Sequence, residues 1–369
     1  QLEIHYLIEI YLLDDNSHQK PLILQYILLQ SYHPLFLIAS LTLHLHYLQQ
    51  PIMSKAEKRG RKKDALEKFI ESDQPVLMSS LNQLRYNILC EGLKQNERGV
   101  CPYRAYVWSI LLRAEPVETD YYVELLQRGK SHSFTKILND SFRTFKKDKN
   151  FTSKVDNQTL IRVLNSYALE VEESAETGVS PYVQGMNILV APFAYVCKSE
   201  PEIFALFSRL LIKYIPTYVT PNLSGVINGV KLVDILLGLL DPKLFHHLKS
   251  KMLTAKIYAF PLVLTLGACT PPLSEVLVLW DFLFSYGVHL NIFFIIAQLV
   301  LIRKQLLESD NPMVLLRQFP RLDSKRIIKL SLSFVKVIPD DLYDLIVRHT
   351  VSEAVGEEIN EYSRQNLSK

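Results

Sequence analysis

Apolar side chains recur in helical rhythm along most of this 369-residue chain. Leu81, Leu84, Ile88 and Leu89 step by three and four residues, with Ser79 or Ser80 placed to cap the helix and Gly92 placed to end it. The same steps return at Ile203, Phe204, Phe207, Leu210, Leu211 and Tyr214. That stripe is opened by Ser199-Glu200-Pro201-Glu202, a capping-box pattern, and stopped by Pro216. A third stripe runs Val276, Leu277, Trp280, Leu283, Phe284, from Ser274 to Gly287, and Asn291 opens an apolar stretch through Ile302. Asn311-Pro312 and Phe319-Pro320 break the last third, and Pro339-Asp340-Asp341 begins a last short helix with Leu342, Leu345 and Ile346. Period-two alternation, the mark of a half-buried strand, does not persist. The pattern predicts an all-α protein with short loops and a polar, frayed tail over 356–369.

Composition narrows this little. A 48% hydrophobic content is enough for one large core or two lobes, and a net charge of +3 is too small to argue for nucleic acid. Cys90, Cys101, Cys197 and Cys269 are scattered without a C-x-x-C pair, which reads as reduced, buried thiols of a cytosolic protein rather than a disulfide frame or a metal site. Residues 1–52 differ from the rest: rich in Leu, Tyr, His and Gln, without glycine, and headed by Gln1. The expectation is that they are translated upstream sequence or a mispredicted exon and that the protein starts at Met53, with a basic segment over 53–78. A membrane span over Pro21–Leu48 is the alternative; Gln25, Gln30, His33, Pro34, His44 and His46 interrupt it. His44 and His46 lack a third metal ligand nearby. The run from Lys58 to Lys63 reads as a solvated, disordered start.

No phosphate-binding G-x-x-x-x-G-K-[ST] loop, kinase set, G-x-S-x-G or H-E-x-x-H occurs, so the common self-contained enzymes are poorly supported. Two short motifs remain, 41 residues apart from Arg143 to Gln184. In Ile137-x-x-Asp140-x-x-Arg143-Thr144, helical geometry would align Ile137, Asp140 and Arg143 on one slowly rotating face, with Ile137 as core anchor and Arg143 extended. A guanidinium is always charged, and its planar fork matches phosphate oxygens. An ordinary surface Asp–Arg pair explains the same residues. Tyr182-x-Gln184-Gly185-Met186-Asn187 sits between a polar stretch and the apolar run Ile188–Val196. There Gly185 would let the backbone approach a partner closely, and Gln184 could present its amide outward. A structural glutamine bonding its own loop is the alternative.

Taken together and in this order, the two motifs resemble those of the TBC family of GTPase-activating proteins. Arg98-Gly99-Val100 with Arg104 and Val107-Trp108 resembles that family's opening block, and Leu279-Trp280-Asp281-Phe282-Leu283-Phe284 with Tyr286-Gly287 its late block. The resemblance covers about Arg98 to Leu307 within a domain over 79–307, followed by a helical extension over 308–355. It implies an all-α, two-lobed helical domain, with Arg143 an arginine finger and Gln184 a glutamine finger. Ile137, Asp140, Thr144, Tyr182, Gly185, Met186 and Asn187 would support them, and Arg98, Gly99, Arg104, Trp108, Trp280 and Asp281 would be structural. Ile215-Pro216-Thr217-Tyr218, Asn222-Leu223-Ser224-Gly225, Asp241-Pro242-Lys243-Leu244 and Leu315-Leu316-Arg317-Gln318-Phe319-Pro320 narrow it to the fungal mitotic-checkpoint branch. Phe260-Pro261 departs from the wider pattern, where other members often carry a Trp, which suggests a GTPase other than a typical Rab.

The implied partner is a Ras-like small GTPase that carries GTP and Mg²⁺, the chain having no cofactor and no metal site of its own. Also implied are a scaffold-like co-subunit, spindle-pole proteins as further partners, and a cytoplasmic location with spindle-pole-body association. Nucleic acid and membrane are not expected partners. The rivals are a helical scaffold that binds a GTPase or spindle-pole protein without catalysis, and a membrane-anchored trafficking Rab activator that needs residues 1–48.

Overall fold

A computed structural model describes residues 74–96, 100–174 and 178–367. The expectations for residues 1–52, the start at Met53, the basic segment up to residue 73, the span over Pro21–Leu48, and Arg98 and Gly99 lie outside the described residues; the segment's last five positions belong to the first described helix. The described residues belong to one compact unit. The described residues are helical with no strand, as the apolar rhythm predicts.

The first group of helices is α1 (Gln74–Cys90), α2 (Arg104–Leu112), α3 (Thr119–Gln127), α4 (Phe134–Ser141), α5 (Lys149–Thr152), α6 (Asn157–Glu173), α7 (Met186–Val196) and α8 (Glu200–Arg209). Helix α6 is its hub and packs on α3, α4, α7 and α8. The second group is α9 (Ser224–Leu240), α10 (Pro242–Ser250), α11 (Ala255–Tyr258), α12 (Phe260–Leu264), α13 (Leu273–Tyr286), α14 (Asn291–Leu301), α15 (Arg303–Glu308), α16 (Pro312–Arg317), α17 (Ser324–Val335), α18 (Asp340–Arg348) and α19 (Val355–Leu367). Its hub is α9, packed on α10, α11, α12, α14 and α19. Helix α13 joins the two lobes by touching α1, α2 and α7 on one side and α17 on the other.

The seam between the lobes is aromatic. Trp108 on α2 lies edge-on to Phe193 of α7 at 5.5 Å and to Phe284 of α13 at 5.1 Å, and Trp280 packs tilted against Trp108 at 5.8 Å. Both indoles are fully buried, the core role the sequence predicts. Each has its N–H satisfied: Trp280 donates to the Leu266 carbonyl at 3.0 Å and Trp108 to Asp281 at 2.7 Å.

Several boundaries differ from the reading of the sequence, each for a physical reason. Helix α1 begins at Gln74, ahead of the expected serine caps. Ser199 makes no side-chain cap; Glu202 instead accepts from the Lys198 amide at 2.9 Å, and Glu200 is drawn into contact with Arg162 and Tyr122. Helix α18 is not the last. Residues 356–367, within the tail expected to fray, belong to α19 because Val355 and Ile359, one turn apart, are both fully buried. Lys231 of α9 donates to Asn360, and Arg348 of α18 pairs with Glu358, so the polar face is held too. All four cysteines are free, and Cys90 is exposed rather than buried. No described helix is long and apolar enough to cross a membrane.

Candidate functional site: two motifs on one hydrogen-bonded node

The 137–144 motif is not one helical face. Helix α4 ends at Ser141, and Arg143 lies in the turn that follows. Ile137 is fully buried and pins α4 against the core. Beyond it, the Asp140 carbonyl is shared by the Thr144 hydroxyl at 2.9 Å and the Asn187 side-chain amide at 3.3 Å. The Thr144 amide turns to Ser141 at 3.1 Å, and Arg143 N–H to Asp140 O at 3.2 Å, so the i→i−4 ladder stops and the chain tightens. Phe145 takes a left-handed conformation (φ 44°), and Asp148 caps α5 through the amides of Asn150 and Phe151. Arg143 is thereby carried outward, its side chain 60% exposed, on a backbone bonded on both sides.

The second motif docks on the same residue. Tyr182 donates its hydroxyl to Asp140 Oδ2 at 2.8 Å, while Arg143 holds Asp140 Oδ1. Burial, reinforced by the bond to Asp140, pushes the Tyr182 phenol well above its ordinary value, so it stays a donor. Asn187 also donates to Thr144 Oγ1 at 2.8 Å and accepts from Gly185 N–H at 3.2 Å. Met186, buried, accepts from the Val183 amide through its sulfur. Gly185, at φ 117°, would put a Cβ only 2.7 Å from Leu264 Cδ2. The close approach this glycine permits is therefore to α12 of its own chain, not to a partner as its place beside Gln184 suggested. Gln184 itself is exposed, and no hydrogen bond holds its amide among the described residues.

Asp140 thus gathers Arg143, Thr144, Tyr182 and Asn187 at one point, with the Arg143 guanidinium and the Gln184 amide facing solvent. Leu264 was missed by the sequence because no spacing connects position 264 to 185. Phe142, half exposed beside Arg143, was also missed; a large aromatic just past the polar end of α4 was the available sign.

Arg104, Trp108 and Asp281 form a second node elsewhere. Arg104 Nε lies 3.0 Å from Asp281 Oδ1 and its Nη2 3.1 Å from Oδ2, with both side chains 2% exposed. Burial is the largest influence on the Asp281 carboxyl and raises it, against the pull of Arg104 and Trp108. No open surface reaches this pair.

The Rab-GTPase-TBC domain family model matches residues 101–307, which span both nodes. The chain belongs to this family. Among its relatives, "Mitotic check point protein BUB2" of Saccharomyces cerevisiae is 44% identical over 77% of this chain and 96% of that protein. "Cell division control protein 16" of Schizosaccharomyces pombe is 44% identical over 75% of this chain and 90% of that protein. Of solved structures, the Ypt/Rab-GAP domain of Gyp1p superposes with a TM-score of 0.58 at 20% identity, covering 73% of this chain and 95% of that one. At that identity the match speaks for the fold, and the all-α TBC architecture agrees with it. The TBC domain takes in both motifs and the seam between the lobes, whereas α16 to α19 lie beyond the matched range.

Proposed function

We propose that the chain is a GTPase-activating protein that lends Arg143 and Gln184 in trans to a Ras-like small GTPase. The observation that carries this reading is the shared node: two motifs 41 residues apart in sequence are tied to Asp140, and among the side chains they leave outward are an exposed guanidinium, Arg143, and an unbonded amide, Gln184. A pure scaffold needs neither.

The GTPase brings GTP and Mg²⁺. As water attacks the γ-phosphorus, charge gathers on the γ oxygens and on the β–γ bridging oxygen, and the Arg143 fork donates to them. The Gln184 amide oxygen accepts from the attacking water while its NH₂ donates to a γ oxygen. Arg143 must release Asp140 to enter. A pair with one exposed partner is worth about 0–1 kcal/mol. An arginine finger contributes about 10³–10⁵ in rate, or about 4–7 kcal/mol of barrier. The exchange therefore favours entry, and Tyr182 keeps Asp140 satisfied meanwhile.

The names of the 44%-identical relatives support a place in a mitotic checkpoint and the control of cell division, and the resemblance to the fungal mitotic-checkpoint branch implies restraint of mitotic exit and septation. The same resemblance implies a scaffold-like co-subunit and spindle-pole-body association. Single-turnover GTP hydrolysis across a panel of small GTPases, with and without a candidate co-subunit, tests the reading: one GTPase is accelerated by the wild type. Gln184→Ala slows hydrolysis while leaving affinity for the GTP-loaded partner nearly intact, because its contact matters mainly in the transition state. Unchanged rates for both Gln184→Ala and Arg143→Ala favour the scaffold instead.

A further inference from the structure

Phe142 leaves 52% of its surface in water at a position where the fold gains little from an aromatic ring. Its backbone is fixed on both sides, by its own N–H to Leu138 O and by the bonds of Arg143 and Thr144 to α4. The surrounding charge is one-sided. Residues 136–154 carry six basic and two acidic side chains, against a net charge of +3 for the whole chain. Both acidic groups are occupied, Asp140 in the node and Asp148 as the cap of α5. Lys146 and Lys147 in the turn after Phe142, and Lys149 at the start of α5, are exposed.

We infer that Phe142 is the specificity anchor of the finger: it fills an apolar depression at the γ-phosphate end of the partner GTPase's nucleotide cleft, and carboxylates that face Lys146, Lys147 and Lys149 rim that depression. The inference rests on the two-finger reading, since consecutive Cα atoms are about 3.8 Å apart and a guanidinium at the γ-phosphate brings the preceding residue to the cleft's rim. A rigid aromatic ringed by charge is the usual anatomy of an energetic centre in an interface. Lysines grouped on one side of it raise the association rate with an anionic surface.

The test uses a GTPase that the wild type accelerates and Arg143→Ala does not. Phe142→Ala should raise the half-saturating activator concentration by about tenfold or more, with faster dissociation, a saturating rate within about threefold of wild type and an unchanged melting temperature. Phe142→Leu should recover most of that affinity. Lys146→Glu/Lys147→Glu should slow association by about tenfold at low salt and flatten its salt dependence. If Phe142→Ala leaves half-saturation unchanged while Arg143→Ala is inactive, the anchor is wrong and the fingers stand. A Phe142→Ala protein that melts earlier and loses saturating rate marks a structural residue and overturns the anchor. Full activity of Arg143→Ala, or no acceleration of any GTPase, overturns the two-finger reading and the anchor with it.

Discussion

Asp281 and Asp140 each hold an arginine and the polar edge of an aromatic side chain. Asp281 takes Arg104 and the Trp108 indole; Asp140 takes Arg143 and the Tyr182 phenol. The chemistry is nearly the same, and the difference is where the arginine stands. Arg104 is 177 residues from its carboxylate in sequence, as buried as its partner, and joins α2 to α13 across the lobes. Arg143 is three residues from its own carboxylate and mostly in water, so its pair ties nothing distant together. A buried guanidinium has no alternative partner, whereas an exposed one can trade its carboxylate for a phosphate at little cost. The first is a fastener, the second a group held ready.

Substitutions should separate the two. The largest effect is expected from Arg143→Ala: a loss of about 10³–10⁵ in stimulated hydrolysis, about 4–7 kcal/mol, with helicity and melting temperature unchanged. Arg143→Lys should also fail, because an ammonium lacks the fork. Stimulated single-turnover rates alongside thermal melts decide it; a melt that falls with the rate would make this pair a fastener too.

Arg104→Ala should do the reverse, costing about 3–5 kcal/mol of stability by stranding a buried carboxyl. The already raised Asp281 carboxyl can partly escape by taking up a proton, which places the effect toward the lower end. The double variant Arg104→Met/Asp281→Leu should regain only part of the loss in denaturant titration, because the buried Trp108 N–H then lacks its acceptor at a cost of about 1–3 kcal/mol, and activity per folded molecule should match wild type.

Acid should act on the buried histidines. Neutral His349 donates from Nδ1 to the Ile346 carbonyl and so accepts from the Tyr218 hydroxyl at 2.8 Å, and His289 meets the Tyr343 hydroxyl at 3.1 Å. Burial drives His349 down to about 4 from 6.5, and burial with the neighbouring His349 drives His289 down to about 3. The unfolded chain therefore binds more protons than the folded one between these values and about 6.5. Stability contributed by the neutral rings is present above about pH 6.5 and is lost as pH falls toward 4, by up to about 1.4 kcal/mol per pH unit for each histidine. Melting temperature against pH should show this slope in wild type and Arg143→Ala alike, and a shallower one in His349→Gln.

The smallest effect is expected far from both nodes. Met252 follows α10 in a left-handed conformation (φ 59°), with Met252 N–H to Lys249 O and Leu253 N–H to Leu248 O closing the helix end. Its side chain is 81% exposed, so Met252→Gly loses little packing and should stabilise by about 0.5–1 kcal/mol without altering stimulated hydrolysis.

The helices were legible where the apolar stripe is long. The stripes at 276–284 and 291–302 gave α13 and α14 nearly to the residue, and Gly287 ends α13 as expected. Helix α19 was not legible: it rests on two apolar anchors, Val355 and Ile359, and its remaining order comes from partners on α9 and α18 that no local pattern reveals. The site divides the same way. Arg143 and Gln184 were singled out by the resemblance of their two motifs to those of the TBC family, while residue chemistry alone left an ordinary Asp–Arg pair and a structural glutamine open. Their geometry was misread, since an i, i+3, i+6 spacing implies a continuing helix. Thr144 and Asn187 take up the carbonyl that would have continued it, and the second of these arrives from another segment.

By itself the sequence determined the all-α class, the seam tryptophans and the two motifs, because helical periodicity and side-chain chemistry are local properties. Only the tertiary structure decided that both motifs meet on Asp140, that Gly185 yields to Leu264, and which of two Asp–Arg pairs is buried. Those outcomes depend on which surfaces exclude water, and that is fixed by packing between segments remote in the chain.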